Sequence, residues 1–419
     1  MELIYTLTAK IGCDSMEESK SSLISIIEKY RDDMVSTMSE MVSIPSISPM
    51  SDGKGEGGRA GFLEGKLKEW GFEVKRYDYV DETNTKRPNL VAKQGSNERT
   101  VWFVAHMDTV APGDRSLWLT DPFKAEIKDG KIYGRGTNDN GQDLIASIYA
   151  LRAIKELGSN TAFGMGVALV ADEELGSRYG IQKLLQEQGI FGDNDMFVVP
   201  DYLSEGGSMV EIAEKGSLWL RIKVNGKQVH ASTPALGVNA NRNASKLITR
   251  IDEMLHQKYS ATDNIYQPPY STFEPTKREK NVDSVNIVPG SDIFYFDCRV
   301  LPTYKLDDVL NDVRNVCNSN DFKEVKIDIE TFSREDPAEP TSMDSDVVKR
   351  LLKSIKEVMN VDAKPMGVGG GTCAAFFRHK GFPAVAWGTE AEDMAHQPNE
   401  YCRIDDMVND AKVFANMCL

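Results

Sequence analysis

The chain has 419 residues, of which 41% are hydrophobic and 27% are charged. These proportions are typical of a globular protein and exclude a mostly disordered or fibrous chain. The formal net charge of −15 disfavours nucleic acid and anionic membranes as partners, because both require a positively charged protein surface. At roughly 150 residues per domain, the chain is long enough for two or three domains.

The sequence has no apolar stretch long enough for a transmembrane helix. Its first twenty residues lack the basic region and the apolar core of a secretory signal. The six cysteines include no CxxC pair, which is typical of reduced cysteines in an intracellular protein. We therefore expect a cytoplasmic protein without a membrane partner.

The first half of the chain alternates between helical and strand-like patterns. Apolar residues recur at helical spacing in three segments, 16–42, 140–157 and 177–188. Short apolar runs, typical of buried strands, occur at 101–104, 167–170 and 196–199. This alternation predicts an α/β domain with a mainly parallel sheet.

The pattern changes after Ala213. Residues 217–224 and 292–300 alternate between apolar and polar side chains, as strands with one solvent-exposed face do, and a helical stretch lies at 239–256. These elements predict a small α+β domain with an antiparallel sheet.

The α/β pattern returns near Pro337. Helices are predicted at 346–359 and 372–380, and an apolar run follows at 383–387. We therefore predict a discontinuous α/β domain, residues 1–214 and 335–419, interrupted by an inserted domain at 215–334.

Polar clusters stand where the predicted strands of the α/β domain end. In an open parallel sheet the carboxyl ends of the strands meet at one edge, so these clusters are expected to lie close together. Two histidines and several carboxylates in one place favour a pair of zinc-like ions. The candidate residues are His106, Asp139, Glu173, Glu174, Asp201 and His396.

Taken singly, these residues also have structural interpretations. His106 can be a strand-end histidine with an unrelated acid, Asp108, two residues further on the same face of an extended chain. Asp108 can equally be the carboxylate that accepts the second N–H of a metal-binding histidine. Asp139 can be a helix N-cap, and three consecutive acids at 172–174 can be a solvated surface. The convergence of several clusters favours a site over these interpretations.

Amide hydrolysis needs these residue types. A carboxylate can bridge two cations about 4 Å apart with a water between them, and the cations lower the pKa of that water to roughly 7. A further carboxylate must take the proton and pass it to the leaving amine, a contribution of roughly 10²–10⁴-fold. The adjacent pair Glu173 and Glu174 can supply one base and one ligand.

The sequence resembles the co-catalytic dizinc metallopeptidases and deacylases that include carboxypeptidase G, aminoacylase, acetylornithine deacetylase and succinyl-diaminopimelate desuccinylase. The whole chain is most similar to archaeal members labelled as desuccinylases or deacetylases. The matching motifs run in family order over about residues 30–415: HMDTV, YGRGTNDNG, ADEELGS, VVPD, VHASTPALGVNA, VNIVPG, DCRVLP, GGGT and AHQPNE.

The resemblance implies two divalent ions, zinc first with cobalt or manganese as alternatives, and a role for each candidate residue. His106 and Asp201 would bind one ion, Glu174 and His396 the other, and Asp139 would bridge them. Glu173 would be the general base and Asp108 would orient His106. The family also has a cis peptide after the bridging aspartate, so one is expected at Asp139–Asn140.

The inserted domain would be the ferredoxin-like lid and dimerisation domain of the family. His230 would reach into the partner subunit's site and stabilise the tetrahedral oxyanion; a locally hydrogen-bonded histidine is the alternative. Asn286 and Arg299 match positions that hold the carboxylate of the substrate in desuccinylases, whereas a structural salt bridge with Asp297 is the alternative for Arg299.

A glycine-rich segment, 369–372, precedes a predicted helix. The N-terminus of that helix could hold a substrate carboxylate through Gly371 and Thr372, and a simple tight connection is the alternative. Cys373 follows directly, but no base accompanies it in the sequence, so no role is predicted for it.

The resemblance implies a dimetal amidohydrolase that cleaves an N-acyl amino acid, of the desuccinylase or deacetylase type, acts on a small-molecule substrate and forms a homodimer. Acyl-amino-acid members usually have Glu where this sequence has Asp201, whereas several dipeptidases have Asp. A dipeptidase, aminopeptidase or carboxypeptidase of the same family is therefore the alternative. An inactive peptide-binding homologue is a remoter one, because the sequence keeps Glu173 and every ligand.

Overall fold

The computed structural model describes residues 18–95, 98–158, 161–202, 204–389, 391 and 394–419. In it the chain forms two units. Unit 1 comprises the residues through Ile212 together with Thr341–Pro365 and Thr372–Leu419, and unit 2 comprises Ala213–Pro340 and Met366–Gly371. Within the described residues, none of the helices combines the length and the apolar character needed to cross a bilayer.

The sequence prediction differs from this division at residues 213–214, 335–340 and 366–371. It assigned 366–371 to the α/β domain, whereas backbone hydrogen bonds tie this segment to unit 2. The N–H of Lys215 donates to the Val368 carbonyl at 3.0 Å, and the N–H of Gln267 donates to the Gly367 carbonyl at 3.0 Å. Such long-range strand contacts leave no local signal in the sequence.

The regular elements are numbered in chain order. Among the described residues, the numbered helices are α1 Arg31–Val42, α2 Gly57–Glu69, α3 Gly141–Leu157, α4 Ile181–Leu184, α5 Ala240–Lys258, α6 Leu306–Cys317, α7 Asp346–Met359, α8 Ala374–His379 and α9 Ile404–Asn416. The strands are β1 Val74–Val80, β2 Lys86–Gln94, β3 Thr100–His106, β4 Glu126–Lys128, β5 Lys131–Tyr133, β6 Gly164–Val170, β7 Met196–Val199, β8 Met209–Glu214, β9 Gly216–Asn225, β10 Val229–His230, β11 Thr272–Arg278, β12 Ile287–Val288, β13 Ser291–Val300, β14 Lys326–Glu335, β15 Lys364–Val368, β16 Ala384–Ala386 and β17 Tyr401–Arg403.

A central sheet has the strand order β1-β2-β6-β3-β7-β16-β8-β15. Its middle strands β6, β3, β7 and β16 are parallel, and β1, β2 and β8 pair antiparallel with their neighbours. The prediction of a mainly parallel sheet is therefore confirmed. Parallel pairing aligns the carboxyl ends of β6, β3 and β7, so the segments that follow these strands share one edge of the sheet.

Helices cover both faces of this sheet, which explains why its middle strands are apolar throughout. On β3, Trp102 and Val104 face a cluster that includes Phe377 of α8. Phe103 points to the opposite face, where its ring lies 4.7 Å from that of Phe414 of α9. The alternation along β3 thus buries successive side chains against different helices.

The predicted length of one helix in unit 1 is wrong. The pattern at 177–188 predicts a helix, but only Ile181–Leu184 is helical. Ser177 has a left-handed backbone with φ of 60°, and its N–H donates to the Asp172 carbonyl at 2.6 Å. The start of the predicted helix instead closes the loop that follows β6, so only one short helical turn forms.

Unit 2 has the order β9-α5-β11-β13-α6-β14 and an antiparallel sheet ordered β11-β13-β9-β14. This is the expected ferredoxin-like arrangement. Leu218, Leu220, Phe294 and Phe296 point to the face that is buried under α5 and α6. The sequence patterns missed β11 and β14, because both are edge strands rich in polar and charged residues.

Candidate metal centre

His106 is the last residue of β3 and is almost fully buried. Its Nδ1 lies 3.0 Å from the backbone carbonyl of Asp108 and 3.5 Å from that residue's carboxylate. The Asp108 carboxylate instead accepts the N–H groups of Glu173 and Glu174, at 3.0 and 3.1 Å. Asp108 therefore orients the His106 ring through its carbonyl and holds the Glu173–Glu174 turn through its side chain.

Asp139 lies between two histidines. Its Oδ1 is 2.9 Å from His106 Nε2, and its Oδ2 is 3.2 Å from His396 Nε2. The peptide bond between Asp139 and Asn140 is cis, as the resemblance implies. Because each carboxylate oxygen faces a different imidazole, the side chain has the geometry of a carboxylate that bridges two sites.

The candidate ligands fall into two groups of three, and within each group the ligand atoms lie within 4.8 Å of one another. One group contains His106, Glu173 and Asp201, and the other contains Asp139, Glu174 and His396. Glu174 Oε2 is 3.0 Å from His396 Nε2, and Asp201 Oδ2 is 3.9 Å from His106 Nε2. The structure thus brings together all six residues that the sequence analysis selected.

This donor set fits divalent ions. Imidazole nitrogens and carboxylate oxygens are zinc ligands, and tetrahedral zinc at about 2.0–2.1 Å from each donor separates the donors by roughly 3.3 Å. The measured separations between the donor atoms, 2.9 to 3.9 Å, bracket that value. Four carboxylates beside two imidazoles also carry excess negative charge that cations would neutralise.

The protonation behaviour of the cluster reflects this crowding. Burial, together with the charge of Asp201, raises the pKa of Glu173 well above its usual value, and burial raises the pKa of Asp201 to about 7. Burial alone would also raise the pKa of Asp139, but hydrogen bonds from His106 and His396 outweigh it and hold that pKa below its usual range. Hydrogen bonds to Asp139 and Glu174 raise the pKa of His396 to about 10. Metal binding would displace the protons that such groups retain.

Two buried residues that the sequence analysis did not select support the Asp139 loop. Glu400 is fully buried and accepts the backbone N–H groups of Gly136, Asn138 and Asp139 at 2.9, 2.8 and 3.1 Å. Arg135 pairs with the Glu400 carboxylate at 2.6 Å. Both residues lie inside the quoted motifs, YGRGTNDNG and AHQPNE, so the available signal was their position in a motif rather than their chemistry.

A second support joins the strand ends. The Asn140 side chain accepts the N–H of His106 at 3.2 Å and donates to the Pro200 carbonyl. Behind the Glu173 turn, the buried Arg87 pairs with Glu56 and lies 3.1 Å from Asp172. These contacts hold the ends of β3, β6 and β7 in register, so the ligand positions are set by the sheet.

Two of the candidate residues in unit 2, His230 and Asn286, lie close together. His230 and Asn286 meet on the two-stranded ribbon of β10 and β12, where the Ala231 N–H donates to the Asn286 carbonyl at 2.8 Å. His230 is exposed, and its Nδ1 accepts the N–H of Ser232 at 3.2 Å and lies 2.7 Å from the Ser232 hydroxyl. Because a backbone N–H can only donate, the ring proton lies on Nε2, which faces away from Ser232 as a hydrogen-bond donor.

Arg299 already has a carboxylate partner. Its Nε and Nη2 donate to the two oxygens of Asp297 at 2.7 and 3.1 Å, and its Nη1 donates to the Gly369 carbonyl at 3.2 Å. Gly371, in the same unit, lies against the side chain of Glu335. The contact between Arg299 and Asp297 matches the structural alternative for this arginine.

In unit 1, Thr372 makes structural contacts. Its hydroxyl donates to the buried carboxylate of Glu211 at 3.2 Å and accepts the N–H of Ala374 at 3.2 Å. The second contact ties Thr372 to the first residue of α8. These hydrogen bonds match the alternative of a tight connection in front of this helix.

Comparisons with known proteins agree with this geometry. Residues 102–419 match the sequence profile of Peptidase family M20/M25/M40. A metallohydrolase of uncharacterised function from Methanocaldococcus jannaschii is 39% identical over 396 residues, which cover 90% of this chain and 96% of the relative. The succinyl-diaminopimelate desuccinylase of Rickettsia rickettsii is 27% identical over 391 residues, which cover 92% of this chain and 99% of that enzyme.

Solved structures share the fold. A tripeptidase from Staphylococcus aureus matches with a TM-score of 0.75 at 22% identity, covering 93% of this chain and 97% of that one. Human carnosine dipeptidase 1 matches with a TM-score of 0.71 at 19% identity, covering 96% and 99% of the two chains.

Proposed function

Because the chain belongs to Peptidase family M20/M25/M40 and is a metallohydrolase of amide or peptide bonds, we propose that it removes the acyl group from an N-acyl amino acid. The proposed reaction is of the desuccinylase or deacetylase type. The desuccinylase relative supports this choice through its coverage of nearly the whole chain.

The observation that carries the proposal is the position of Asp139 between His106 and His396, with Glu173 beside them. In the proposed assignment His106 and Asp201 would hold one ion, Glu174 and His396 would hold the other, and Asp139 would serve both. When bound, two divalent ions would supply Lewis acidity and lower the pKa of a water molecule. Zinc is the proposed metal, with cobalt and manganese as alternatives.

Glu173 is proposed to move the proton. Its carboxylate lies in the ligand group of His106 and Asp201 but is the one carboxylate the assignment leaves free of metal. It would take a proton from water as the new C–O bond forms, and give it to the amine nitrogen as the C–N bond breaks. The hydrogen bond from its backbone N–H to Asp108 holds the turn that carries this carboxylate at the edge of the sheet.

The residues of unit 2 are proposed to act on the substrate. His230, whose Nε2 carries the proton, is suited to donate to the oxyanion that forms on the substrate carbonyl. The proposed homodimer would bring His230 of one subunit to the metal centre of its partner. Asn286 and Arg299 remain proposed contacts for the substrate, and Gly371 and Thr372 remain proposed as a binding loop.

A dipeptidase activity is the second candidate, and the contact between Arg299 and Asp297 favours it. The Nε and Nη2 groups of Arg299 already donate to the Asp297 carboxylate. Arg299 would therefore bind the terminal carboxylate of a succinyl group less strongly than an arginine without such a partner would. A substrate panel separates the two candidates. N-succinyl-diaminopimelate, N-acetylornithine, other N-acyl amino acids and dipeptides should each be tested with zinc, cobalt and manganese.

We expect the panel to give the highest kcat/KM with an N-acyl amino acid. A clear preference for dipeptides would replace the first candidate with the second. No hydrolysis of any of these substrates with any of the three metals would contradict both.

Two substitutions at the Arg299 pair give a sharper prediction about the acyl group. Arg299→Ala should raise KM for succinyl substrates by roughly 10- to 100-fold, the loss of a charge-assisted pair worth about 1.5–3 kcal/mol, and should change KM for acetyl substrates little. Asp297→Asn should lower KM for succinyl substrates, because it removes the charge that competes for the guanidinium. Equal effects on succinyl and acetyl substrates in both variants would make the pair structural.

A further inference from the structure

A buried thiol lies beside the proposed base. Cys373 directly precedes α8, is 2% exposed and has no assigned role. Its Sγ lies 3.9 Å from Glu173 Oε1, although the two residues are 200 positions apart, and 3.2 Å from Ser177 Oγ. The thiol therefore contacts two residues of the loop that follows β6.

The direction of these hydrogen bonds follows from the groups involved. The geometry makes the Cys373 S–H the donor and Glu173 Oε1 the acceptor. Burial, followed by the charge of Glu173, raises the pKa of Cys373 well above its usual value and keeps the proton on sulfur. With this hydrogen used, the Ser177 hydroxyl donates to the sulfur. The three side chains thus form a hydrogen-bonded series in which Ser177 donates to Cys373 and Cys373 donates to Glu173.

Backbone hydrogen bonds hold the residues at both ends of this hydrogen-bonded series, Ser177 and Glu173. The Ser177 N–H donates to the Asp172 carbonyl at 2.6 Å, and the Gly176 N–H donates to the Glu173 carbonyl at 2.9 Å. The other partner, Cys373, belongs to the apolar cluster that contains Phe377 of α8. Cys373 is thus packed in the core. It contacts the Glu173 side chain from a different part of the fold than the loop that carries Glu173.

We propose that Cys373 is a positioning residue that orients the Glu173 carboxylate for proton transfer, with Ser177 supporting the thiol. This inference rests on the proposed role of Glu173 as the base. A thiol suits the task because it is neutral and a weak donor. It can fix one carboxylate oxygen without the ion pair that a lysine or arginine would form.

The kinetic test compares variants of the metal-loaded protein on the preferred substrate of the panel. Cys373→Ala should lower kcat about 10-fold, with KM within about twofold of wild type and the metal content unchanged. Cys373→Ser should recover most of the lost kcat, because a hydroxyl can also donate. Ser177→Ala should lower kcat less and add little to Cys373→Ala, since both act through one contact.

Cys418 provides the matched control. It is also fully buried in unit 1, and its Sγ contacts the Phe414 carbonyl. Cys418→Ala should lower the melting temperature about as much as Cys373→Ala and leave kcat unchanged. An unchanged kcat in Cys373→Ala, or a loss that Cys373→Ser does not recover, would overturn the inference.

An infrared measurement tests the contact without turnover. The S–H stretching band of Cys373 is the one that disappears in Cys373→Ala, and it should move to higher frequency in Glu173→Gln, because an amide oxygen is a weaker acceptor than a carboxylate. A band that does not move overturns this inference alone, whatever the activity. A band that moves in a protein that hydrolyses no substrate of the panel overturns the proposed function, and the positioning role with it.

Discussion

Glu173→Gln is expected to lower kcat by about 10²- to 10⁴-fold while the protein keeps its full metal content. The substitution replaces a carboxylate with an amide of nearly the same shape, so it removes the proton acceptor and little else. Steady-state kinetics and metal analysis by mass spectrometry on the same preparation measure both quantities. KM should change much less than kcat, because the base acts on the proton transferred in the reaction.

Glu174→Ala is the matched comparison for Glu173→Gln, because the two residues are neighbours on one turn and both N–H groups donate to Asp108. Glu174 Oε2 lies 3.0 Å from His396 Nε2, so removing this carboxylate should cost about one metal equivalent per chain. If Glu173→Gln loses metal and Glu174→Ala does not, the assigned roles of the two residues are reversed. Each of the two carboxylates belongs to one of the ligand groups, so the metal content of the two variants separates the two assignments.

His230→Ala is expected to lower kcat by about 10²- to 10³-fold, the usual cost of removing one oxyanion donor. The structural reason is the Nε2 proton, which the Ser232 N–H fixes by occupying Nδ1. His256→Ala is a suitable control, because His256 is another exposed histidine of unit 2 and hydrogen-bonds within its own helix, to the Asp252 carbonyl. This control should keep wild-type kcat.

Mixed dimers test whether His230 acts in the partner's site. A dimer of one Glu173→Ala and one His230→Ala subunit would contain one site with both defects and one site with neither. Co-refolding the two inactive variants should therefore restore up to about half of the wild-type activity within the heterodimer fraction. A mixture that stays inactive despite demonstrated subunit exchange would show that His230 does not act in trans.

Three of the candidate site residues could be predicted from the sequence because they stand at or just after the end of an apolar run. His106 ends β3, and Glu173 and Asp201 follow β6 and β7 within a few residues, so local pattern and parallel topology together placed them at one edge. The polar clusters also pointed to Asp139 and His396, although neither directly follows a strand of the central sheet, and the motifs then supplied their proposed roles.

The supporting contacts could not be predicted in this way. Glu400 reaches the backbone of the Asp139 loop, and Cys373 reaches Glu173, across 261 and 200 residues of chain respectively. Hydrogen bonds at such separations depend on how helices and loops pack on the sheet, and no local pattern encodes them. The same holds for Arg299, whose motif favoured substrate binding while its structure pairs it with Asp297. The cytoplasmic location and the homodimer stay predictions.

The central claim is that two divalent ions bind on either side of Asp139, and metal stoichiometry tests it most directly. Metal-free protein is equilibrated with zinc, dialysed, and analysed for zinc per chain in the wild type, Glu174→Ala and Asp139→Ala. The account predicts about two ions in the wild type, about one in Glu174→Ala and fewer than one in Asp139→Ala, because the shared ligand serves both sites. A wild type that binds a single ion, with that ion retained in Asp139→Ala, would contradict it.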